Sequence, residues 1–199
     1  MRKLVVLTFV SLDGVMQAPG GPEEDASGGF TLGGWTVPYF DEELGRVMGQ
    51  QMGEPFDLLL GRKTYDIFAG YWPHHNEEGE PLNRATKYVV SSQQRPLVWE
   101  PSHLITGDIA REIRRVKNED GPMLQVHGSS ELIQTLLKSD LVDELWLKVF
   151  PVALGSGKRL FGEGTIPAAF QLATSKASPA GVIVATYKRS GVVQTGSFA

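Results

Sequence analysis

Leu58-Leu59-Leu60-Gly61-Arg62-Lys63-Thr64-Tyr65 runs from a short apolar stretch through a glycine and a basic pair toward a helical pattern. The apolar part reads as a buried strand stopped by Gly61, and Thr64 to Phe68 reads as the beginning of a helix. A helix start offers unpaired backbone N–H groups and the positive end of the helix dipole, which together hold phosphate. Arg62 and Lys63 at that end oppose the dipole. An anion between them is one resolution, and a solvated basic turn capped by Thr64 is the other. The stretch is not a Walker A loop, which needs glycine at position 56, where this chain has Phe56.

Working outward, Val126-His127-Gly128-Ser129-Ser130-Glu131-Leu132 repeats the arrangement of strand into helix. Gly128 permits close approach of a ligand to the backbone, and the serines can cap the helix or donate to phosphate oxygens. Ser91-Ser92 closes the strand Lys87 to Ser91, where hydroxyls suit ligand contact at a carboxyl-terminal sheet edge. No Gly-x-Gly-x-x-Gly is present, so the pattern is not a Rossmann fingerprint. His74-His75 before Asn76-Glu77-Glu78 reads as a solvated surface loop between Pro73 and Gly79 rather than a metal site. No Gly-x-Ser-x-Gly elbow nominates a nucleophile.

The rest of the chain alternates. Leu4 to Val10 is a strand buried on both faces. Residues 17 to 36 hold six glycines and little periodicity, as a functional lid would. Phe40, Leu44, Val47, Met48 and Met52 follow helical spacing, with Asp41, Glu42 and Glu43 at the favourable end. Ile109, Ile113 and Val116 mark a helix capped by Asp108. Met123 to Val126 and Glu144 to Phe150 are strands, and Phe170 to Ala177 with Val182 to Lys188 forms a hairpin. The fold class is α/β, a mixed sheet covered by helices, in one domain over 1–190 with a tail at 191–199.

Composition narrows the function classes. The 199 residues, 41% hydrophobic and 21% charged, suffice for one sizeable core. A net charge of −4 gives no electrostatic footprint for nucleic acid or anionic lipid. Without cysteine there is no disulfide, zinc–thiolate site or thiol nucleophile. Met1-Arg2-Lys3 before the apolar run imitates a signal peptide, but Ser11-Leu12-Asp13-Gly14 follows as a turn, so a buried first strand and a cytoplasmic location are expected.

Taken in order, several stretches resemble the dihydrofolate reductase superfamily. They are Ser11-Leu12-Asp13-Gly14-Val15, Leu60-Gly61-Arg62-Lys63-Thr64-Tyr65, Val90-Ser91-Ser92, Gly128-Ser129-Ser130-Glu131-Leu132, Leu141-Val142-Asp143-Glu144-Leu145 and Pro151-Val152-Ala153-Leu154-Gly155-Ser156-Gly157. The closer likeness is to the reductase domain of bifunctional riboflavin-biosynthesis enzymes (the RibD C-terminal domain) and its stand-alone relatives. The resemblance implies a mostly parallel sheet with a C-terminal hairpin, and an NADPH-dependent reductase acting on a small heterocyclic or ribose-linked substrate without a metal. It places Arg62 at the adenosine 2′-phosphate, with Lys63 and Thr64, after Gly61, at the adjoining phosphates. Ser91 and Ser92 would flank the adenosine, and Gly128, Ser129, Ser130 and Glu131 would cradle the pyrophosphate. The backbone around Phe9 and Val10, with Met16, would face the nicotinamide, with Trp35 at the end of the lid and Asp41, or its neighbours Glu42 and Glu43, as the acid nearest the substrate. The proton donor is unknown. Reduction of folate or pterin, and a non-catalytic NADP-binding module, stand as alternatives. A homodimer is expected: the resemblance implies association through the sheet edge, and Leu145-Trp146-Leu147-Lys148-Val149-Phe150 carries large side chains on both strand faces.

Overall fold

Leu4–Ser11, the first strand (β1), is buried along nearly its whole length, as an apolar run with large residues on both parities requires. The structure, a computed structural model, describes residues 1–163 and 165–198. The further strands are β2 (Phe56–Gly61), β3 (Lys87–Val90), β4 (Ser102–Ile105), β5 (Met123–His127), β6 (Glu144–Phe150), β7 (Ala169–Ala177) and β8 (Ile183–Gly191). The helices are α1 (Glu42–Gln51), α2 (Arg62–Tyr71), α3 (Asn76–Arg84), α4 (Ile109–Asn118) and α5 (Ser130–Lys138).

The eight strands form one sheet in the order β4-β3-β2-β5-β1-β6-β8-β7. The first six run parallel, and β8 and β7 are added antiparallel. The carboxyl ends of β3, β2, β5, β1 and β6 therefore open on one side. Alternation along the strands sorts the core into two faces. Leu4, Val6 and Val10 pack with Ile113 and Val116 of α4 and with Ile133 and Leu136 of α5. Phe56, Leu58 and Leu60 pack instead with Tyr65 of α2 and Leu82 of α3. Leu44 of α1 joins Phe150, Val15, Phe30 and Trp35. The α/β fold with a closing hairpin is as the sequence implies.

Four features differ from the sequence reading. α2 begins at Arg62, so Thr64 lies inside its first turn rather than capping it, and Gly61 takes the cap position. Asn76 to Gly79, expected as part of a surface loop, instead open α3, which continues to Arg84 despite Pro81 inside it. Tertiary packing overrides propensity here: Leu82 is buried, and Gly79 lets the helix lie on Trp72, where a Cβ would stand 2.8 Å from Cε3. The short edge strand β4 was not anticipated, since its half-buried Ser102 and exposed His103 show no apolar run. Finally, β6 lies between β1 and β8, so its large side chains are absorbed by the core of one chain. They are no ground for a second copy. The exposed strand is β7, at the outer edge of the sheet. No helix among the described residues is long and apolar enough to cross a membrane.

Candidate functional site

The carboxyl ends of the parallel strands border a cleft of about 1410 Å³. β2 and β5 are neighbours, and each runs straight into a helix, α2 and α5. The two turns are tied together, since the Gly61 N–H donates to Ser129 Oγ at 2.9 Å. Gly128 and Ser129 are both left-handed, at φ 61° and 66°, which turns the chain sharply into α5. A serine held there costs on the order of 1 kcal/mol, and such strain gathers at ligand sites.

Among the described residues, two helix starts carry a side-chain cap and three do not, the third being α3, away from the strand ends. Asp41 caps α1 through the Leu44 N–H at 2.8 Å, and Asp108 caps α4 through the Arg111 N–H at 3.1 Å. α2 and α5, which open on the cleft, have no side-chain cap. Their first N–H groups remain available to an anion. Around them stand Lys63, Arg62, Arg95 and Lys158, all lining the cleft.

The lid, residues 17–36, is anchored at several points. Gln17 donates to the carbonyls of Asp25 and Ser27 at 2.9 and 2.8 Å, and the Lys158 N–H donates to its Oε1 at 3.0 Å. The Asp25 carboxylate sits between Lys63 Nζ at 2.5 Å and Lys158 Nζ at 2.8 Å. Burial would raise the Asp25 pKa, but Lys158, Lys63 and Ser27 together hold it well below the usual carboxylate range. At the lid's far border Gly157, at φ 122°, lies so close to Val15 that a Cβ would meet its Cγ1 at 2.7 Å. The turn at Asp13 is stapled to the loop after β6, because its carboxylate accepts from the N–H groups of Leu154 and Gly155 at 3.0 and 2.8 Å.

Most of the residues expected at a site meet here. Phe9, Met16, Gly61, Arg62, Lys63, Thr64, Ser91, Ser92, Gly128, Ser129, Ser130 and Glu131 all line the cleft. Arg62 is partly committed: its guanidinium donates to Asp66 Oδ1 at 2.8 Å and to the carbonyls of Arg95 and Pro96 at 3.0 and 3.2 Å. Three of its five N–H groups are thereby used and two remain.

Three expected residues are not brought to the cleft. The Val10 side chain is buried in the core that β1 forms with α4 and α5. Trp35 is buried, donating from Nε1 to the Gln17 carbonyl at 2.8 Å and packing edge-on to Phe150 at 5.4 Å between ring centroids. Asp41 caps α1 and accepts from the Ala180 N–H at 2.9 Å, in the turn between β7 and β8. The reason is the direction of α1. Its N-terminus leans on the hairpin, and it is the C-terminal end, with Met48 and Gln51, that faces the cleft.

Sequence reading missed Gln51, His127 and Arg95 as cleft residues, and it read the basic stretch Gly155-Ser156-Gly157-Lys158-Arg159 as a turn rather than a phosphate contact, although Lys158 lines the cleft. The basic residue closing Ser91-Ser92-Gln93-Gln94-Arg95 was a readable signal for Arg95. His127 lies over the Phe56 and Phe68 rings, and its Nε2 donates to Gln125 Oε1 at 2.9 Å. Burial, aided by the Lys148 charge, pushes the His127 imidazole down to about 3, and burial pushes Lys148 down to about 7.

A pH dependence follows from His127. The unfolded chain takes up a proton near the ordinary value of 6.5, whereas the folded chain refuses it until about 3. Folded stability is therefore full above 6.5 and falls as pH drops through that window, by about 1.4 kcal/mol per pH unit from this group alone. Asp13, held down at about 2 by Ser11 and the Leu154 N–H, loses stability only below its ordinary 3.8, and Glu43 and Glu112, held down by neighbouring arginines, only as pH falls toward their ordinary 4.5, so the window from 6 to 5 belongs to His127. Denaturant unfolding of wild type and His127→Leu across that window reads the difference. Parallel slopes would contradict a half-buried imidazole kept neutral by its surroundings.

The family model of the RibD C-terminal domain matches residues 2–184 of this chain. Two Bacillus subtilis (strain 168) proteins of uncharacterised function are similar to it. YyaP is 24% identical over 196 residues, 96% of each chain, and YwjB is 30% identical over 169 residues, 82% of this chain and 85% of its own. Among solved structures, a candidate riboflavin biosynthesis protein from Shewanella sp. PV-4 superposes with a TM-score of 0.67 at 25% identity, covering 96% of this chain and 99% of the other. A pyrimidine reductase-like protein from Corynebacterium diphtheriae gives 0.62 at 14% identity, covering 95% and 92%. Dihydrofolate reductase from Enterococcus faecalis, solved in complex with NADP(H) and RAB-propyl, gives 0.61 at 13%, covering 94% and 96%.

Proposed function

Because the chain belongs to the RibD C-terminal domain family, we propose that it is an NADPH-dependent reductase of the riboflavin-biosynthesis type. It would act on a small heterocyclic or ribose-linked acceptor. The observation that carries this reading is the pair of uncapped helix starts, α2 and α5, joined through Gly61 and Ser129 at one end of the cleft. Two converging sets of free N–H groups with cations beside them suit a pyrophosphate, and the Gly128 turn leaves the backbone open to it.

In that reading Gly128 to Glu131 hold the pyrophosphate, and Lys63 and Thr64 the adjoining phosphates. The two free N–H groups of Arg62, with Arg95 nearby, receive the 2′-phosphate, and Ser91 and Ser92 flank the adenosine. Bound NADPH would supply the hydride. The chain's own contribution is orientation and exclusion of water: Phe9 and Met16 form the wall on the β1 side, and the lid held by Gln17 covers the cleft. α1 sends no acid into the cleft, so the charge a pterin ring would need from that helix is absent. This favours the riboflavin-type acceptor over folate.

The test is NADPH oxidation followed with pyrimidine-ribosylamine and dihydropterin acceptors. Turnover of the pyrimidine class alone is expected. Turnover of dihydropterin alone would restore the folate reading, and NADPH binding without turnover of any acceptor would leave a non-catalytic NADP-binding module. We also expect a cytoplasmic homodimer, joined along β7, where Leu172 is exposed at the sheet edge. A mass of one chain by light scattering at micromolar concentration would contradict that assembly.

A further inference from the structure

Lys148 is the least ordinary residue near the cleft. It lies on β6, fully buried, beside Phe9 on the neighbouring strand, with Nζ 6.0 Å from that ring. No carboxylate partners it among the described residues. Its hydrogen bond goes to Gln51 Oε1, at the last residue of α1. An unpaired buried lysine is costly, so stability alone is a poor reason for its presence.

Gln51 is held at two points. Its backbone carbonyl accepts from Gln125 Nε2 at 2.9 Å, and Gln125 is itself fixed by His127. Its side-chain oxygen is taken by Lys148, which is a donor in either protonation state. The orientation of a glutamine amide is often ambiguous, but here the ammonium that Lys148 carries below about pH 7 requires the oxygen on that side. The Gln51 Nε2 group then faces away from Lys148. It makes no hydrogen bond within the described residues, and Gln51 lines the cleft.

We propose that Gln51 selects the ligand in this cleft: with its oxygen held by Lys148, it donates from Nε2 to a ring carbonyl oxygen and disfavours a ring that presents an amino group there. This rests on the reading of the cleft as a cofactor-and-acceptor site. Gln51 is the specificity residue, and Lys148 is a positioning residue that acts through it. The competing explanation for Lys148 is structural, a positive charge at the C-terminal end of α1.

The experiment titrates uridine, which has carbonyl edges, and 2,4-diaminopyrimidine, which has amino edges, into the protein with and without saturating NADPH. Wild type is expected to prefer uridine by about tenfold, the worth of one hydrogen bond kept rather than lost. Gln51→Glu replaces the donor by an acceptor and keeps a partner for Lys148, so the preference should reverse. Lys148→Met frees the amide to rotate, and the preference should fall to within about threefold while the melting temperature holds or rises. A lower melting temperature with the preference intact would show Lys148 to be structural only and overturn its positioning role. Equal affinity for the two probes in wild type, binding of neither, or no reversal in Gln51→Glu would overturn the inference. If NADPH fails to bind but the free protein keeps the uridine preference and its reversal, the cofactor reading falls and the role of Gln51 stands.

Discussion

Replacing Gly128 by aspartate is expected to raise the NADPH dissociation constant at least about 100-fold, a loss near 2.7 kcal/mol, without unfolding the protein. Gly128 is left-handed at φ 61°, and a Cβ there would meet nothing nearer than Thr64 at 3.9 Å. Aspartate is among the side chains that tolerate this conformation, so the backbone can stay as it is. Two effects then act together at the helix start. The new carboxylate competes for the N–H groups that α5 leaves uncapped, and it repels the phosphates of the cofactor. A titration paired with a melting curve separates binding from folding. An affinity within about threefold of wild type, with the melting temperature unchanged, would remove phosphate from this helix start.

Phe150→Ala should be the most destabilising single truncation, at about 3–5 kcal/mol. Phe150 is fully buried at the end of β6, edge-on to Phe9 at 5.5 Å, Trp35 at 5.4 Å and Tyr39 at 6.3 Å between centroids. These neighbours come from the central strand, the lid and the segment before α1. Removing the ring leaves a cavity that none of the three can fill without giving up its other contacts, such as the Trp35 hydrogen bond to Gln17. The truncation therefore reaches the lid as well as the core. The midpoint of urea unfolding reads the cost, and proteolysis within residues 17–36 reads the loosening. A loss below about 1 kcal/mol would mean that the site collapses freely and the lid is anchored elsewhere.

The elements that were legible in the sequence are those whose burial leaves a local mark. Leu4 to Val10 can only be a strand covered on both faces, and the turns at Gly61 and Gly128 announce themselves by glycine between an apolar run and a helical period. Asp108 as a cap is equally local. What was not legible depends on packing at a distance. Pro81 and Gly79 argue against a helix, and only Trp72 and the pocket for Leu82 explain why one forms. Asp41 looked like a substrate ligand because an acid early in the first helix is what folate enzymes use. The sequence does not say which end of that helix meets the cleft. Gln51 and Lys148 are 97 positions apart, and a lysine in an apolar strand reads as surface until the strand is seen to be central. The dimer argument from β6 failed for the same reason. An apolar run shows that a strand is covered but not by what.

The central claim is that the joined starts of α2 and α5 receive a dinucleotide whose 2′-phosphate matters. Calorimetric titration of wild-type protein with NADPH, NADH and flavin mononucleotide at one fixed salt concentration tests it most directly. NADPH should bind more tightly than NADH by about ten- to a hundredfold, the worth of one charge-assisted contact from Arg62 or Arg95 to phosphate, and flavin should not compete. Equal affinity for the two nicotinamide cofactors, or tighter binding of the flavin, would contradict it.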